Sequence, residues 1–164
     1  MKMLLSRQQR AWLAWHDAFE LAARAVVFEG HMPVTAFERL VGMLESSDGK
    51  IDVRLAFARG NEGIVRVSGS CRGELQLLCQ RCLEHYMQPM NTAFELMLLN
   101  DEALLEHVDE AHDREVATDR IRPLDFIEDE LIMTLPLVPI HPDPADCEEF
   151  ARRLLAPATD NLME

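Results

Sequence analysis

Residues 50–79 read KIDVRLAFARGNEGIVRVSGSCRGELQLLC. Apolar and polar residues alternate on both sides of the turn Gly60-Asn61-Glu62-Gly63. Before it, Ile51, Val53, Leu55 and Phe57 share one face. After it, Val65, Val67, Gly69, Cys71, Gly73, Leu75, Leu77 and Cys79 share another, opposite Arg66, Ser68, Ser70, Arg72, Glu74 and Gln76. Successive strand side chains point to opposite faces, so a period of two means a half-buried strand. The second strand is unusually long, and Gly69 or Gly73 is where it should bend. HYMQPMNTAFELMLL (85–99) then reads as a return strand.

The remaining elements follow from the helical period. Leu4, Leu5, Ala11, Trp12, Trp15 and Phe19 fit one amphipathic helix over 4–22, and RAVVFEG (24–30) reads as a strand. In PVTAFERLVGML, Thr35 and Glu38 fit a capping box, with Phe37, Leu40, Val41 and Leu44 on one face. Residues 100–120 are densely acidic without an apolar face and read as a loop rather than a short helix. RPLDFIEDELIMTLP reads as a helix opened by Pro123 and closed by Pro136, with Leu124, Ile127 and Leu131 inward. Asp125, Glu128 and Asp129 should form an exposed acidic face on it. LPLVPIHPDP is extended by its prolines, and a short helix should run from Cys147 to Leu155. The expected fold is α+β: an antiparallel β meander or partly closed barrel with flanking helices.

The chain has 164 residues, 48% of them hydrophobic, which suits a single domain. MKMLLSRQQR lacks the apolar run of a secretory signal and no long apolar window follows, so a cytoplasmic, non-membrane protein is expected. Its four cysteines should then be reduced. The net charge of −13 is unevenly distributed. Residues 1–80 carry 10 basic and 9 acidic side chains, whereas 81–164 carry 6 and 20. Such a surface repels phosphate backbones and suits a basic protein partner, although solubility alone would also account for it.

Cys79 and Cys82 form a CxxC pair between two strands. A redox pair normally opens a helix, whose N-terminus favours the thiolate. A hairpin tip is instead the setting of a zinc knuckle. Two further ligands must come from elsewhere. Cys71, eight residues back along an extended strand, lies roughly 26 Å away and is expected in the core. His85, His141 and Cys147 remain, with His141 and Cys147 as the second half of the candidate site. Plain buried thiols and a redox pair stay open beside zinc. His107 and His112 lie in the acidic segment and form a weaker metal candidate. No phosphate-binding glycine loop or nucleophile motif points to an enzyme.

CQRCLEHY after a strand, the helix in DFIEDELIMTLPLVPIHP and the later Cys147 together resemble the YceD family of bacteria and plastids. DAFELAARAVVFEGHMPVTAFERL resembles that family's opening segment, so the likeness runs from about Asp17 to Phe150. By position, Cys79, Cys82, Glu128, Asp129, Glu130, Pro136, Pro139 and His141 match its motifs. The resemblance implies a non-enzymatic role in accumulation of large-subunit ribosomal RNA, in its synthesis, processing or stability. It divides the chain into a helical extension (1–16), one domain (17–155) and a tail (156–164). With the charge distribution, it points to a ribosomal protein or ribosome precursor as partner, met through Asp125, Glu128 and Asp129. The alternative is direct RNA binding through Arg54, Arg59, Arg66 and Arg72 on the first half.

Overall fold

A computed structural model describes residues 6–61, 63–108, 113–117 and 120–147. Its frame is a five-stranded sheet in the order β1-β2-β3-β4-β5, formed by Val27–Pro33, Lys50–Arg59, Ile64–Leu78, His85–Leu99 and Asp113–Val116. The first four strands form an antiparallel meander, and β5 joins β4 in parallel. Edges β1 and β5 are not neighbours, so the sheet is open rather than a barrel.

The β2–β3–β4 register carries the fold. Leu55 faces Gly69, and Gly69 faces Phe94. The Phe94 ring occupies the space a side chain at 69 would need: a Cβ there would lie 2.2 Å from the ring. Ile51, Val53, Leu55, Phe57, Val65, Val67, Cys71 and Leu75 are buried on the inner face, as the period of two predicts. Helices α1 (Arg7–Leu13), α2 (Ala18–Ala23) and α4 (Pro123–Thr134) complete that core with Trp12, Leu21, Leu124, Ile127 and Leu131. Each buried aliphatic side chain contributes about 1.5–3 kcal/mol.

Four local expectations are corrected. The single helix over 4–22 is two helices, because two caps interrupt it. Ser6 caps α1 in a capping box with Gln9, and Asp17 caps α2 by accepting from the backbone N–H of Phe19 and Glu20. Trp12 is therefore buried against Phe28, whereas Trp15 lies outside, over the Arg122 guanidinium. Leu4 and Leu5 fall outside the described residues. The strand after Arg24 begins only at Val27 and runs on to Pro33. The helix over 33–44 contracts to a 3₁₀ turn, Val34–Ala36, and one α-helical turn, α3 (Glu38–Val41). The Thr35–Glu38 capping box does not form, since the N-cap is Phe37 and no side chain of that cap bonds the turn.

The acidic segment is not simply a loop. Asp101 caps a 3₁₀ helix, Glu102–His107, and the chain then pairs as β5. The Arg114 guanidinium joins the two by donating to the carbonyls of Leu105 and Val108 at 2.8 and 2.7 Å. A four-residue parallel edge strand has too little alternation to be read from its composition. The short helix expected from Cys147 to Leu155 starts earlier, with helical backbone already at Ala145, and its part beyond Cys147 lies outside the described residues. No described helix is long and apolar enough to cross a membrane.

Candidate metal centre

The β3–β4 hairpin turns over residues 79–84, so the CxxC pair sits at its tip. Two backbone bonds close the turn: Cys79 N–H donates to the Glu84 carbonyl at 2.9 Å, and Leu83 N–H donates to the Cys79 carbonyl at 2.8 Å. Leu83 adopts a left-handed φ of 59° to achieve this. The chain after α4 then returns as a strap, irregular over 135–144 and helical over 145–147. Gln80 N–H donates to the Pro139 carbonyl at 2.8 Å, which fixes the strap to the tip.

That docking brings four ligands together. The donor atoms of Cys79, Cys82, His141 and Cys147 all lie within 4.8 Å of one another. The Cys79 and Cys147 sulfurs are 3.7 Å apart. His141 Nδ1 is 3.3 Å from the Cys82 sulfur and 3.2 Å from that of Cys147. A tetrahedral zinc with sulfur at about 2.3 Å and nitrogen at about 2.0 Å spaces two sulfurs by about 3.8 Å, and sulfur from nitrogen by about 3.5 Å. A disulfide needs sulfurs about 2.05 Å apart, and all four cysteines are free.

The surroundings suit thiolates. The three cysteines are buried in a small core with Leu77 and Tyr86, separate from the main one. Burial works against the Cys79 thiolate. Backbone N–H groups of Cys82, His141 and Arg81, together with the His141 side chain, outweigh it and pull that thiol down to about 5. One of these bonds is explicit: His141 N–H points at the Cys79 sulfur at 3.4 Å. Burial pushes Cys82 the other way, to about 11, with the neighbouring sulfurs adding to the rise. Backbone donors thus favour a thiolate at Cys79, while burial and the neighbouring sulfurs oppose a second one at Cys82, an opposition that a bound cation would relieve. The Tyr86 ring stacks obliquely on His141, with centroids 5.1 Å apart.

Arg81, inside the CxxC pair, is held in its charged form chiefly by a hydrogen bond to Cys147. Three thiolates around a divalent cation would leave one net negative charge, which this guanidinium would offset. Sequence reasoning passed over Arg81, although its place between the two cysteines was the available signal.

Of the remaining sequence candidates, Cys71 is buried in the main core and belongs to no cluster of ligands among the described residues. His85 pairs with Glu45 at 3.7 Å instead of joining the cysteines. His112 and the side chain of His107 lie outside the described residues. On the expected acidic face of α4, the exposure of Glu128 is corrected. Glu128 is 2% exposed, not solvated. One carboxylate oxygen accepts from the backbone N–H of Arg39 at 2.7 Å and of Leu40 at 3.2 Å, and the other accepts from Arg39 Nε at 3.0 Å. Asp129 also pairs with Arg39, and Asp125 with Arg122 at 2.8 Å. Asp129 stays exposed, as expected, and Asp125 is half-buried, so two arginines face three carboxylates. Sequence reasoning missed Arg39, whose role exists only once α3 and α4 meet.

Arg54, Arg59, Arg66 and Arg72 are exposed on β2 and β3. Acids interleave with them: Arg54 lies 3.9 Å from Glu29, and Arg72 stands opposite Asp52, whose carboxylate also bonds His31.

The family model for the large ribosomal RNA subunit accumulation protein YceD matches residues 67–159. A relative from Haemophilus influenzae carrying that same name is 27% identical over 128 residues, spanning 76% of this chain and 73% of the relative. No solved structure matches.

Proposed function

The chain belongs to the YceD family of large ribosomal RNA subunit accumulation proteins, and on that premise we propose that it supports accumulation of large-subunit ribosomal RNA as a non-enzymatic factor stapled by zinc. The observation that carries the non-catalytic reading is the closed Cys₃His set. A catalytic zinc keeps one position for water or substrate, whereas four protein ligands leave none. The metal's part in this reading is to hold the strap to the hairpin tip.

The factor acts through a basic protein of the large subunit or its precursors. Support comes from the charge distribution, with 20 acidic against 6 basic side chains over residues 81–164. The alternative, RNA binding by Arg54, Arg59, Arg66 and Arg72, is weakened by the acids among them. A phosphate-binding face gains affinity by releasing counterions from each phosphate it neutralises. Arginines already facing Glu29 and Asp52 release fewer.

Deletion of the gene, followed by quantification of large- and small-subunit ribosomal RNA, tests the function. A selective deficit of the large-subunit RNA, restored by the wild-type chain, is expected. Equal amounts with and without the gene would overturn the proposal. Cosedimentation with large-subunit precursors tests the mode of action, and sedimentation only with free RNA would favour the arginine face.

A further inference from the structure

The strap fixed by the Cys₃His set carries a concentration of exposed apolar side chains. Leu137 is fully exposed at 102%, Val138 is 63% exposed and Ile140 is 46% exposed. Leu83, on the hairpin tip that the strap touches through Gln80 and Pro139, is 63% exposed. Isolated exposed leucines are ordinary on a protein surface; several held at one end of a molecule mark an interaction site. Their setting is acidic: Glu84, Asp143 and Asp146 are exposed on the same two segments, against one cation, Arg81.

Resting on the function proposed above, we infer that this metal-held end docks a basic protein segment that carries aliphatic anchor side chains. Apolar anchors at the centre with complementary charge at the rim is the general anatomy of a protein interface. The acidic rim selects a cationic partner and speeds its approach, while Leu137 and Val138 supply contact area. Such a surface excludes naked RNA, which offers neither positive charge nor aliphatic anchors. Docking also depends on the metal. The strap has no regular secondary structure over 135–144, and the cluster with the Gln80–Pro139 bond holds it in place.

The test uses the full zinc-loaded chain and, as probe, the RNA-free protein fraction of purified large ribosomal subunits. Cross-linking with mass spectrometry locates contacts, and titration measures affinity. Expected is saturable binding of a basic protein, with cross-links at the strap. Leu137→Ser with Val138→Ser should weaken it at least tenfold, with metal content and melting temperature unchanged. Asp143→Asn with Asp146→Asn should weaken it mainly at low salt, and chelation should abolish strap cross-links. Four results would each overturn the inference: no binding by any protein of the fraction, undiminished binding by the Leu137/Val138 variant, cross-links from the strap only to residues 148–164 or to a second copy, or competition by naked ribosomal RNA alone. The two proposals fail separately. A deletion without an RNA deficit removes the function, whereas a deficit fully restored by the Leu137/Val138 variant removes only this docking surface.

Discussion

Glu128 caps a helix 89 residues away in the chain: its carboxylate accepts the Arg39 backbone N–H at 2.7 Å while binding the same residue's guanidinium at 3.0 Å. One buried side chain thus supplies the N-terminal cap of α3 and joins α3 to α4. Removing it leaves two amides without their acceptor and the Arg39 guanidinium with Asp129 alone. Breaking a buried pair costs about 3–5 kcal/mol. The Arg39 side chain is half exposed, so water compensates part of the loss. Glu128→Ala should lower unfolding stability by about 2 kcal/mol in urea titration. Asp125→Asn, at a partly exposed pair, should cost less than about 1 kcal/mol. Equal costs for the two would mean that Glu128 is an ordinary surface acid.

Purified under reducing conditions with zinc present, the chain should hold one zinc per molecule by elemental analysis. Cys79→Ser, Cys82→Ser and Cys147→Ser should each reduce that content severely, as should His141→Ala. Cys71→Ala should keep it. A Cys71 variant that loses metal as completely as a Cys82 variant would refute the four-residue site.

Cys71 itself should be silent toward thiol reagents in the native protein. Burial pushes its thiol from 9.0 up to about 12, and Glu130 adds to the rise. Because the fold prefers the neutral thiol, this residue's contribution to stability is intact below pH 9 and is lost as pH rises from 9 toward 12. Cys71→Ala should therefore flatten the alkaline decline in melting temperature. An unchanged decline would assign it to other groups.

The two tryptophans should behave oppositely. Trp12 is 1% exposed and packs on Phe28, so Trp12→Ala should cost about 3–5 kcal/mol. Trp15→Ala should change the denaturation midpoint little. If both substitutions prove equally mild, α1 does not belong to the cooperative core.

At Gly69, an added methyl must displace the Phe94 ring. Gly69→Ala should cost about 1–3 kcal/mol, with much of the loss recovered in the double variant with Phe94→Leu. Strict additivity of the two changes would show that the ring does not rest on this glycine.

Sequence alone determined the meander and its inner face, because alternation over β2 and β3 is a local signal repeated many times. It also determined α4, whose proline boundaries and apolar spacing are local too. The CxxC pair and its place at a hairpin tip were legible for the same reason. His141 and Cys147 could be named as candidate ligands, but their approach to the tip required the strap to fold back, which rests on bonds such as Gln80 to Pro139. Tertiary structure alone decided the rest. It split the first helix by caps at Ser6 and Asp17, since competing caps are weighed by what each half can bury. It turned part of an acidic stretch into β5, since parallel pairing depends on a neighbour rather than on composition. And it buried Glu128, which helical spacing placed beside Asp125 and Asp129, because α3 needed an acceptor that its own sequence does not supply in place.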